Sequence, residues 1–550
     1  MTPTAAAPTP LTSLADNLAV SARRYPQRTA IDFFGATLSY AQLHERVERL
    51  AGHLRQACGL QAGERVLLDM QNSPAFVVAY YAVLRADGVV VPVNPMNRTE
   101  ELRWIASDSG ARIACLAAET WPHAEPLWRE GLLTHAVLAS YADDLPPAGA
   151  DTDPPAPDWL RSTDPTPAGA GLCTLPEALR AAPLAGPAAR GGEDLALLAY
   201  TSGTTGLPKG CMLSHRALQA AIVTLQHWNG WHAGAVALAT APFFHVTGME
   251  ASMNLPIFVG ANMVVLPRWD RAAAATLIRR HRITHWTNVP TMVSDLLALP
   301  GLAGSDLSSL IYIGGGGTAM PAAVAARLRE LTGLAYQEGW GMTELAGAVH
   351  LNPVGGERLG SVGVPVPGVE TRVIDPDSGQ PAPPGTNGEW VTRGASLFSG
   401  YWNNPAADRE AFVTLDGERY LRTGDIGHVD AEGYFQLGDR LKRMINASGF
   451  KVWPAEVENL LYGHPAILEA CVVGTPDAQR GETVKAFIVP RDPADPPSAE
   501  AIIDWAREHM AAYKIPRVVE LVDRLPRSGA GKVMWRALQE KERAPRTATD

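Results

Sequence analysis

Residues Tyr200 to Gly210 form the segment that most constrains the fold, and they read Tyr-Thr-Ser-Gly-Thr-Thr-Gly-Leu-Pro-Lys-Gly. An apolar run, Leu195 to Leu198, precedes this segment. The residues after it have apolar side chains at helical spacing, with Ser214 as the expected N-cap. The pattern predicts a strand, a loop and then a helix, an order that is typical of layered α/β folds with parallel sheets.

The loop carries the groups that a polyphosphate needs. Glycines let backbone N–H groups face an anion, hydroxyl side chains add donors, and Lys209 adds positive charge. A P-loop NTPase would have Gly before the lysine and Ser or Thr after it, whereas Pro208 and Gly210 stand there. For this segment alone, an ordinary flexible surface loop is the alternative. The predicted ATP-binding residues of the loop are Thr201, Ser202, Gly203, Thr204, Thr205 and Lys209.

Composition narrows the class of protein. The chain has 550 residues, more than a single core normally serves, so we expect several domains. It is 46% hydrophobic and 19% charged, as ordinary globular proteins are, and its formal charge of -10 disfavours nucleic acid as a partner. The 5 cysteines are scattered without metal-ligand spacing, which favours reduced thiols.

The sequence predicts a cytoplasmic location. Residues Met1 to Pro10 lack the basic and apolar regions of a secretory signal. The most apolar segment, Ala75 to Val93, is interrupted by Arg85 and Asp87, so no transmembrane segment is expected. Peripheral contact with a membrane stays open, because an apolar substrate would favour it.

Periodicity divides the chain into regions. Strand-like runs such as Val89 to Val93 alternate with helical stretches such as Ala322 to Leu331, which predicts α/β layers with parallel sheets. Residues from about Ala148 to Asp194 are rich in Pro, Ala and Gly and predict an extended surface insertion. Turn-rich sequence around Asp375 to Gly388 predicts a β-rich subdomain.

A compact α+β unit is expected after Arg440. A helix is predicted to begin near Pro454, followed by strands at Ala470 to Val473 and Val484 to Val489, and by a helix after Ser498.

Four further motifs follow the loop in a fixed order. They are Gln-Glu-Gly-Trp-Gly-Met-Thr-Glu at Gln337 to Glu344, Arg-Thr-Gly-Asp-Ile-Gly at Arg422 to Gly427, Gly-Asp-Arg-Leu-Lys at Gly438 to Lys442, and Pro-Arg-Ser-Gly-Ala-Gly-Lys at Pro526 to Lys532. With these motifs the chain resembles the adenylate-forming superfamily of acyl-CoA synthetases, luciferases and peptide-synthetase adenylation domains. Within it, the fatty-acyl-CoA ligases are the most similar group. The resemblance covers nearly the whole chain.

The resemblance implies a large N-terminal AMP-binding domain, residues 1–440 with the insertion at about 148–194, and a small mobile C-terminal domain, residues 441–550, with a hinge at Lys442. It also implies two reactions. A carboxylate first attacks the α-phosphorus of ATP to give an acyl-AMP, and a thiol then takes the acyl group.

Lys532 matches the superfamily's catalytic lysine. A unit charge about 4 Å from a phosphate oxygen contributes roughly 4 kcal/mol at an effective dielectric constant of about 20. That energy offsets the repulsion between two anionic reactants.

The remaining nucleotide contacts are also implied by the resemblance. Glu344 corresponds to the ligand of Mg²⁺, and Thr343 is placed to donate to the α-phosphate. Trp340 stands where the superfamily commonly has a Tyr that stacks on adenine. Asp425 and Arg440 correspond to the residues that bind the ribose, and a carboxylate suits two adjacent hydroxyls. The other implied nucleotide-binding residues are Gly316, Gly317, Thr318 and Glu338.

The thiol and acyl sites are implied in the same way. Ser448, Gly449 and Phe450 match the segment that lines the coenzyme A channel. Free CoA is favoured over a carrier module within the chain, and a separate carrier protein as the thiol stays open. His245 matches the gate beside the substrate carboxylate, although a lone His after aromatic residues is commonly a packed core residue. The implied acyl-pocket residues are Thr247, Gly248, Met249, Asn288, Val289 and Pro290.

The sequence therefore predicts an acid–CoA ligase that uses ATP, Mg²⁺ and CoA and acts on a medium- or long-chain fatty acid. The acyl preference depends on the wording of the segment Met444 to Pro454. Two alternatives stay open, an aryl or short-chain acid–CoA ligase and a catalytically silent acyl-nucleotide-binding scaffold. The sequence also leaves open whether the protein forms a homodimer.

Overall fold

The computed structural model describes residues 7–150, 152–162, 168–201, 208–447, 450–477, 481–527 and 533–543. The chain divides into two compact units. The first unit comprises Met1–Glu370 with Arg393–Leu421, and the second comprises Thr371–Thr392 with Arg422–Asp550. The boundary predicted between residues 440 and 441 falls inside the second unit and stays a prediction.

The strands up to residue 365 are β1 (Thr29–Phe33), β2 (Ala36–Ser39), β3 (Arg65–Asp69), β4 (Val89–Pro92), β5 (Ile113–Ala117), β6 (His135–Ala139), β7 (Leu172–Thr174), β8 (Leu195–Thr201), β9 (Lys209–Ser214), β10 (Val236–Ala239), β11 (Asn262–Val265), β12 (His285–Asn288), β13 (Tyr312–Gly315), β14 (Gln337–Met342), β15 (Gly347–Leu351) and β16 (Val364–Pro365). The later strands are β17 (Glu370–Ile374), β18 (Gly388–Arg393), β19 (Phe412–Leu415), β20 (Glu418–Val429), β21 (Phe435–Arg440), β22 (Ile445–Ala447), β23 (Phe450–Val452), β24 (Ile467–Asp477), β25 (Gly481–Pro490) and β26 (Val518–Leu521).

The helices of the first unit are α1 (Ala15–Arg24), α2 (Tyr40–Gln56), α3 (Pro74–Arg85), α4 (Thr99–Ser109), α5 (Trp121–Arg129), α6 (Leu175–Ala178), α7 (His215–Trp228), α8 (Val246–Gly248), α9 (Leu255–Val259), α10 (Arg271–His281), α11 (Pro290–Leu297), α12 (Ala322–Thr332) and α13 (Pro405–Ala411). Those of the second unit are α14 (Pro454–Leu461), α15 (Ala499–His509) and α16 (Trp535–Arg543). No helix in these described ranges combines the length and the apolar character that crossing a membrane requires.

Two large sheets organise the first unit. The described strands of one sheet run in the order β7-β6-β5-β3-β4-β8-β9, and they are parallel except for the antiparallel pair β8 and β9. The other sheet has the order β16-β15-β14-β13-β12-β10-β11-β1-β2, with parallel pairing from β14 to β1. The predicted α/β class with parallel sheets is confirmed.

Helix α3 shows why this unit has a large core. Ser73 caps its first turn through a hydrogen bond from the Phe76 N–H (3.2 Å), and Pro74 occupies the first helical position. The residues from Pro74 to Leu84 are all buried. A helix that is apolar on every side needs neighbours on every side. The apolar segment Ala75 to Val93 is therefore a core helix followed by a core strand.

The segment after the Gly/Thr loop differs from the prediction. The sequence predicted a strand, a loop and then a helix, but β9 stands between the loop and α7 and pairs antiparallel with β8, with Thr201 opposite Lys209. The helix itself begins as predicted, because the Ser214 hydroxyl accepts a hydrogen bond from the Ala217 N–H (3.2 Å). The loop therefore joins the two strands of a hairpin.

The predicted surface insertion at 148–194 has regular structure in its middle. Residues Leu172–Thr174 pair with β6 as an edge strand, and Thr174 caps α6 together with Glu177. Such a short edge strand leaves little pattern in a Pro/Ala/Gly-rich sequence, which is why the segment was predicted to be extended.

The second unit is an α+β arrangement, as predicted. Strands β24 and β25 pair antiparallel from Ile467↔Pro490 to Asp477↔Gly481, and β26 lies parallel to β25. Helices α14 and α15 contribute Val457 and Ile502 to the core. The predicted helix starts at Pro454 and after Ser498 are confirmed.

Candidate active site

Neighbouring strands β12, β13 and β14 end at one edge of the larger sheet. Asn288 lies opposite Gly315, and Gly315 lies opposite Glu338. In open α/β sheets, ligands bind at the carboxyl ends of the strands. This edge holds the glycine run that ends at Gly317 and the start of the motif Gln337 to Glu344.

Gly316 lies where strand ends approach each other closely. A Cβ atom there would stand 2.4 Å from the carbonyl oxygen of Gly339, so no side chain fits. The resemblance implies that Gly316 lacks a side chain because a nucleotide approaches it closely. The structure shows a second cause, which is the backbone after β13 packing on β14. Gly317 and Thr318 follow as exposed residues on the same edge.

Glu338 and Trp340 occupy alternate positions on β14. Both side chains are buried, and each is 6% exposed. The Met320 N–H donates to the Glu338 carboxyl, whose Oε2 has no hydrogen-bond partner among the described residues. Burial raises the pKa of Glu338 to about 7. Trp340 packs edge-on against His350, with ring centres 5.0 Å apart. Its predicted stacking on adenine stays a prediction.

Glu344 and Lys209 are brought to the same tyrosine, which the sequence reasoning missed. Glu344 lies in a single turn of 3₁₀ helix, Thr343–Leu345, and is 7% exposed. The Tyr401 hydroxyl donates to Glu344 Oε1 (2.8 Å). The Lys209 ammonium lies 4.8 Å from the centre of the same ring. No motif in the sequence marked Tyr401, because its partners come from two other parts of the chain.

The structure describes the predicted phosphate-binding loop only at its two ends. The Thr201 hydroxyl donates to the Lys209 carbonyl (3.5 Å), and the Trp104 indole N–H of α4 donates to the Pro208 carbonyl (3.3 Å). Helix α4 therefore holds the base of the hairpin. The predicted residues Ser202, Gly203, Thr204 and Thr205 lie outside the described residues.

The predicted acyl gate follows β10. The exposed His245 precedes α8, and its Nδ1 accepts a hydrogen bond from the Thr247 N–H (3.4 Å). A Cβ atom on Gly248 would lie 2.2 Å from the Pro242 carbonyl oxygen, so the segment folds back on itself at this glycine. Met249 is fully buried. The predicted gate is thus a tight turn with one exposed imidazole.

Asn72 holds the backbone that leads to this gate. It follows β3 and is 2% exposed. Its Nδ2 donates to the Ala241 carbonyl (2.9 Å), and its Oδ1 accepts from the Phe243 N–H (2.7 Å). Phe243 also packs on Phe76 of α3, with ring centres 5.6 Å apart. The sequence gives only a weak signal for this role, an asparagine shortly before an apolar helix.

The other predicted acyl-pocket residues lie at the carboxyl end of β12, which neighbours β10 in the sheet. The Asn288 amide donates to the Trp286 carbonyl (3.1 Å), and its Oδ1 accepts from the Tyr336 hydroxyl (3.1 Å). Val289 and Pro290 then begin α11. Because β10 and β12 are adjacent and parallel, both predicted halves of the pocket lie at one sheet edge.

A buried carboxyl follows the gate directly. Residues Met249–Asn254 form a π-helix, a rare geometry that is frequent at functional sites. Within it, Glu250 is 1% exposed, and its Oε1 accepts from Asn254 Nδ2 (2.8 Å). Its Oε2 has no partner among the described residues. Burial raises the pKa of Glu250 to about 8.

The predicted residues of the second unit are described in part. Asp425 is 1% exposed, its N–H donates to the Thr423 hydroxyl (3.0 Å), and it pairs across the sheet with Arg440. Lys442 lies in a short 3₁₀ turn, Leu441–Arg443, and the backbone of Phe450 begins β23. Ser448, Gly449 and Lys532 lie outside the described residues.

The donors present in the first unit fit Mg²⁺ as the partner of a nucleotide. No group of three or more His, Cys, Asp or Glu side chains in the described part of the chain could enclose a metal ion. Mg²⁺ does not need such a group, since it is commonly bound through one or two carboxylates together with substrate phosphates. Glu344 can supply such a carboxylate, because the hydrogen bond that its side chain accepts from Tyr401 uses only Oε1.

Two family models match the chain. One, described as AMP-binding enzyme, covers residues 18–402, and the other, described as AMP-binding enzyme C-terminal domain, covers residues 456–532. The chain belongs to the AMP-binding enzyme family. The resemblance to the adenylate-forming superfamily is thereby confirmed.

Named relatives of this AMP-binding enzyme match over nearly their full length. A long-chain-fatty-acid–CoA ligase of Bacillus subtilis is 34% identical, with 97% of this chain and 95% of the relative covered. A feruloyl-CoA synthase of Amycolatopsis is 36% identical over 93% of this chain and 96% of the relative. The crystal structure of ATP-bound MatB from Rhodopseudomonas palustris has a TM-score of 0.84 at 30% identity and covers 96% of this chain and 98% of that one.

These findings fix the class of enzyme. The AMP-binding enzyme is an ATP-dependent acyl-CoA synthetase, as the sequence motifs predicted. Its reactants are a carboxylic acid, ATP and CoA, and Mg²⁺ is its usual metal cofactor. The relatives differ in the acid that their names give, so the acid that this enzyme uses is a separate question.

Proposed function

We propose that this enzyme activates a medium- or long-chain fatty acid, forming an acyl-AMP and then an acyl-CoA. The observation that carries the proposal is the match, at 34% identity over 97% of the chain, to a Bacillus subtilis protein named long-chain-fatty-acid–CoA ligase. Three of the predicted pocket residues, Met249, Val289 and Pro290, have no polar side-chain group, which suits an apolar acid, whereas Thr247 and Asn288 are polar.

A second candidate substrate is an aryl acid. It is favoured by the 36% identity to a protein named feruloyl-CoA synthase. A ring needs a short, wide pocket and an alkyl chain a long, narrow one, and glycine content alone does not discriminate between them. The two candidates share the same adenylation chemistry and differ only in the shape of the acyl site.

In the proposed first reaction, cationic groups offset the repulsion between the carboxylate and ATP. Lys209 binds the outgoing phosphates, Thr343 donates to the α-phosphate, and Lys532 neutralises charge that develops at the reacting oxygens. Mg²⁺, when bound, supplies further positive charge on the phosphates. Glu344 holds it.

Binding of the nucleoside involves a second group of residues. Trp340 stacks on the adenine, and the Asp425 carboxylate accepts hydrogen bonds from the ribose hydroxyls. Arg440, which pairs with Asp425 across β20 and β21, is the second ribose-binding residue. Nucleotide binding is the role proposed also for Gly316, Gly317, Thr318 and Glu338 of the first unit.

In the proposed second reaction, the C-terminal domain, residues 441–550, turns about Lys442 and presents the segment Ser448 to Phe450 to the CoA thiol. The gap between the two family-model matches, residues 403–455, agrees with a boundary in this region. The thiol adds to the acyl carbonyl, and AMP leaves with the electron pair of the cleaved C–O bond. A cytoplasmic location suits these reactants.

A panel of acids tests the proposal. The enzyme is incubated with ATP, Mg²⁺, labelled pyrophosphate and either octanoate, palmitate, acetate, benzoate or ferulate, and label exchange into ATP is measured. We expect the highest kcat/KM with octanoate or palmitate. A higher value for ferulate or benzoate would replace the fatty acid by the aryl acid. Absence of exchange with every acid would favour the silent scaffold.

A further inference from the structure

Tyr401 contacts both charged side chains that the proposed function places beside the phosphates. Its hydroxyl donates to Glu344 (2.8 Å), and its ring lies 4.8 Å from the Lys209 ammonium. We propose that Tyr401 is a positioning residue that keeps Glu344 and Lys209 apart, so that the carboxylate is available to the Mg²⁺ of Mg·ATP and the ammonium to the phosphates. This inference rests on the nucleotide-site assignment in the proposed function.

Two side chains of opposite charge that contact the same residue, as Lys209 and Glu344 contact Tyr401, tend to form an ion pair with each other. A direct Lys–Glu ion pair would use the ammonium and the carboxylate to satisfy each other, and a divalent cation would then have to break the pair in order to bind. In the described part of the chain, Lys209 and Glu344 do not form an ion pair with each other. The tyrosine offers each of them a neutral partner instead, a π-face for the ammonium and an O–H donor for the carboxylate.

The backbone fixes Tyr401 in this place. Residues 399–402 run along β9, where the Met212 N–H donates to the Gly400 carbonyl (3.0 Å) and the Trp402 N–H donates to the Gly210 carbonyl (2.8 Å). The Tyr401 N–H is bound separately by the Asp408 carboxylate (2.7 Å). Because β9 begins at Lys209, the same pairing brings the tyrosine beside the lysine.

The neighbouring turn fixes the other partner. The Phe398 N–H donates to the Glu344 backbone carbonyl (2.9 Å), and the Phe398 ring packs edge-on against Tyr401 at 4.9 Å. Both the backbone and the side chain of Glu344 are therefore held by residues 398–401. Residues 398–401, which belong to none of the sequence motifs, thus connect β9 to Glu344.

Two substitutions at Tyr401 separate its two contacts. Tyr401→Phe removes the hydrogen bond to Glu344 but keeps the ring, whereas Tyr401→Leu removes both contacts. Binding of ATP to the full-length protein is measured by calorimetry, once with excess Mg²⁺ and once with EDTA, without acid or CoA. For Tyr401→Phe we expect Mg·ATP affinity to fall roughly tenfold, the loss typical of a hydrogen bond to a charged group. Affinity for ATP in EDTA should stay within about twofold, because Lys209 keeps its ring.

For Tyr401→Leu we expect both affinities to fall, because Lys209 and Glu344 can then pair directly. The matched control is Tyr141→Phe, which removes a similar tyrosine–glutamate hydrogen bond, to Glu119 (3.0 Å), beside strands β5 and β6 of the sheet that contains β9. This control should leave both affinities unchanged. Thermal unfolding of all three variants shows whether they fold.

A double-substitution cycle shows whether Tyr401 acts through Glu344. If it does, adding Tyr401→Phe to Glu344→Gln should produce no further loss of Mg·ATP affinity. Additive losses, or equal losses with Mg²⁺ and with EDTA in Tyr401→Phe, would overturn the inference. These measurements need no acid substrate. A failure of the acid panel would therefore be distinguishable from a failure here.

Discussion

Asn72 illustrates at the scale of one residue how a buried amide shapes a segment distant in sequence. Both ends of its side chain are bonded to backbone groups of residues 241 and 243, just before the predicted gate at His245. A buried backbone group that loses its partner costs about 1–3 kcal/mol. The turn at the predicted gate therefore depends on Asn72, which lies 171 positions before Phe243. The sequence offers no means of pairing these two residues.

Replacement of Asn72 by alanine should raise the KM for the acid more than the KM for ATP. The reason is that the Ala241 carbonyl and the Phe243 N–H lose their partners, so the gate backbone moves. We expect a loss of stability of about 2–4 kcal/mol and a several-fold rise in the acid KM. Pyrophosphate exchange at varied acid and ATP concentrations measures both constants.

The control for this prediction is Asn17→Ala. Asn17 is also buried, but its side chain bonds to Gln219 (3.0 Å), away from the gate backbone. It should lower the stability without a selective change in the KM for the acid. Equal changes in the two KM values for Asn72→Ala would contradict a role in holding the gate.

Glu250 gives a prediction about pH at the same scale. Its pKa is raised by burial to about 8, above the ordinary value of 4.5, so the folded protein retains a proton that the unfolded chain releases. The stability contribution of this group is fully present below pH 4.5 and is lost as the pH rises towards 8. Glu250→Gln should remove this loss. Compared with wild type, the variant should therefore gain stability between pH 5 and 8, by at most about 1.4 kcal/mol per pH unit.

Urea unfolding of wild type and Glu250→Gln at several pH values from 5 to 8.5 checks the sign. Equal slopes of unfolding free energy against pH for the two proteins would show that the carboxyl titrates normally. Asp69, whose pKa is raised by burial to about 7, should show the same trend over a lower pH range when replaced by Asn.

At the scale of elements, the sequence predicts helix α7 after the Gly/Thr loop, but it does not predict strand β9, which precedes that helix. Ser214 followed by apolar residues at helical spacing is a local signal, and the observed cap confirms it. Strand β9 is a different case. Its residues become a strand by pairing with β8 and with the segment 399–402, and such pairing depends on residues far away in sequence.

Ser214→Ala should destabilise the first unit by about 1 kcal/mol, because the Ala217 N–H at the start of α7 loses its side-chain acceptor. Thermal unfolding measures the change. Ser214→Asp keeps an acceptor at the same position and should restore most of the loss. If both variants were equally unstable, the hydroxyl would not act as the cap.

The glycine run at the end of β13 shows the same division. The sequence marked Gly316 as a place where a side chain is unwanted, and the structure agrees. The carbonyl of Gly339 that excludes a side chain, however, belongs to the next strand, and only the strand order of the sheet brings the two together.

At the scale of the whole molecule, the division of labour between the two reactions makes a prediction for Lys532. If this lysine acts only in adenylation, Lys532→Ala should lower pyrophosphate exchange by roughly a thousandfold, as the loss of about 4 kcal/mol of charge stabilisation would. Formation of acyl-CoA from supplied acyl-AMP should stay within a few-fold of wild type. Equal losses in both half-reactions would contradict the proposed turning of the C-terminal domain.

The sequence alone determined the superfamily, the layered α/β fold, the chemistry of adenylation and the helix starts. Each of these is carried by residues that are close together in the chain, as in a motif, a cap or a period of apolar side chains. The tertiary structure decided that Lys209 and Glu344 share Tyr401, that Asn72 holds the backbone of residues 241–243 and that Glu250 is buried. The contacts of Tyr401 and Asn72 join residues at least 57 positions apart, which local patterns do not encode because strand pairing and helix packing select the partners.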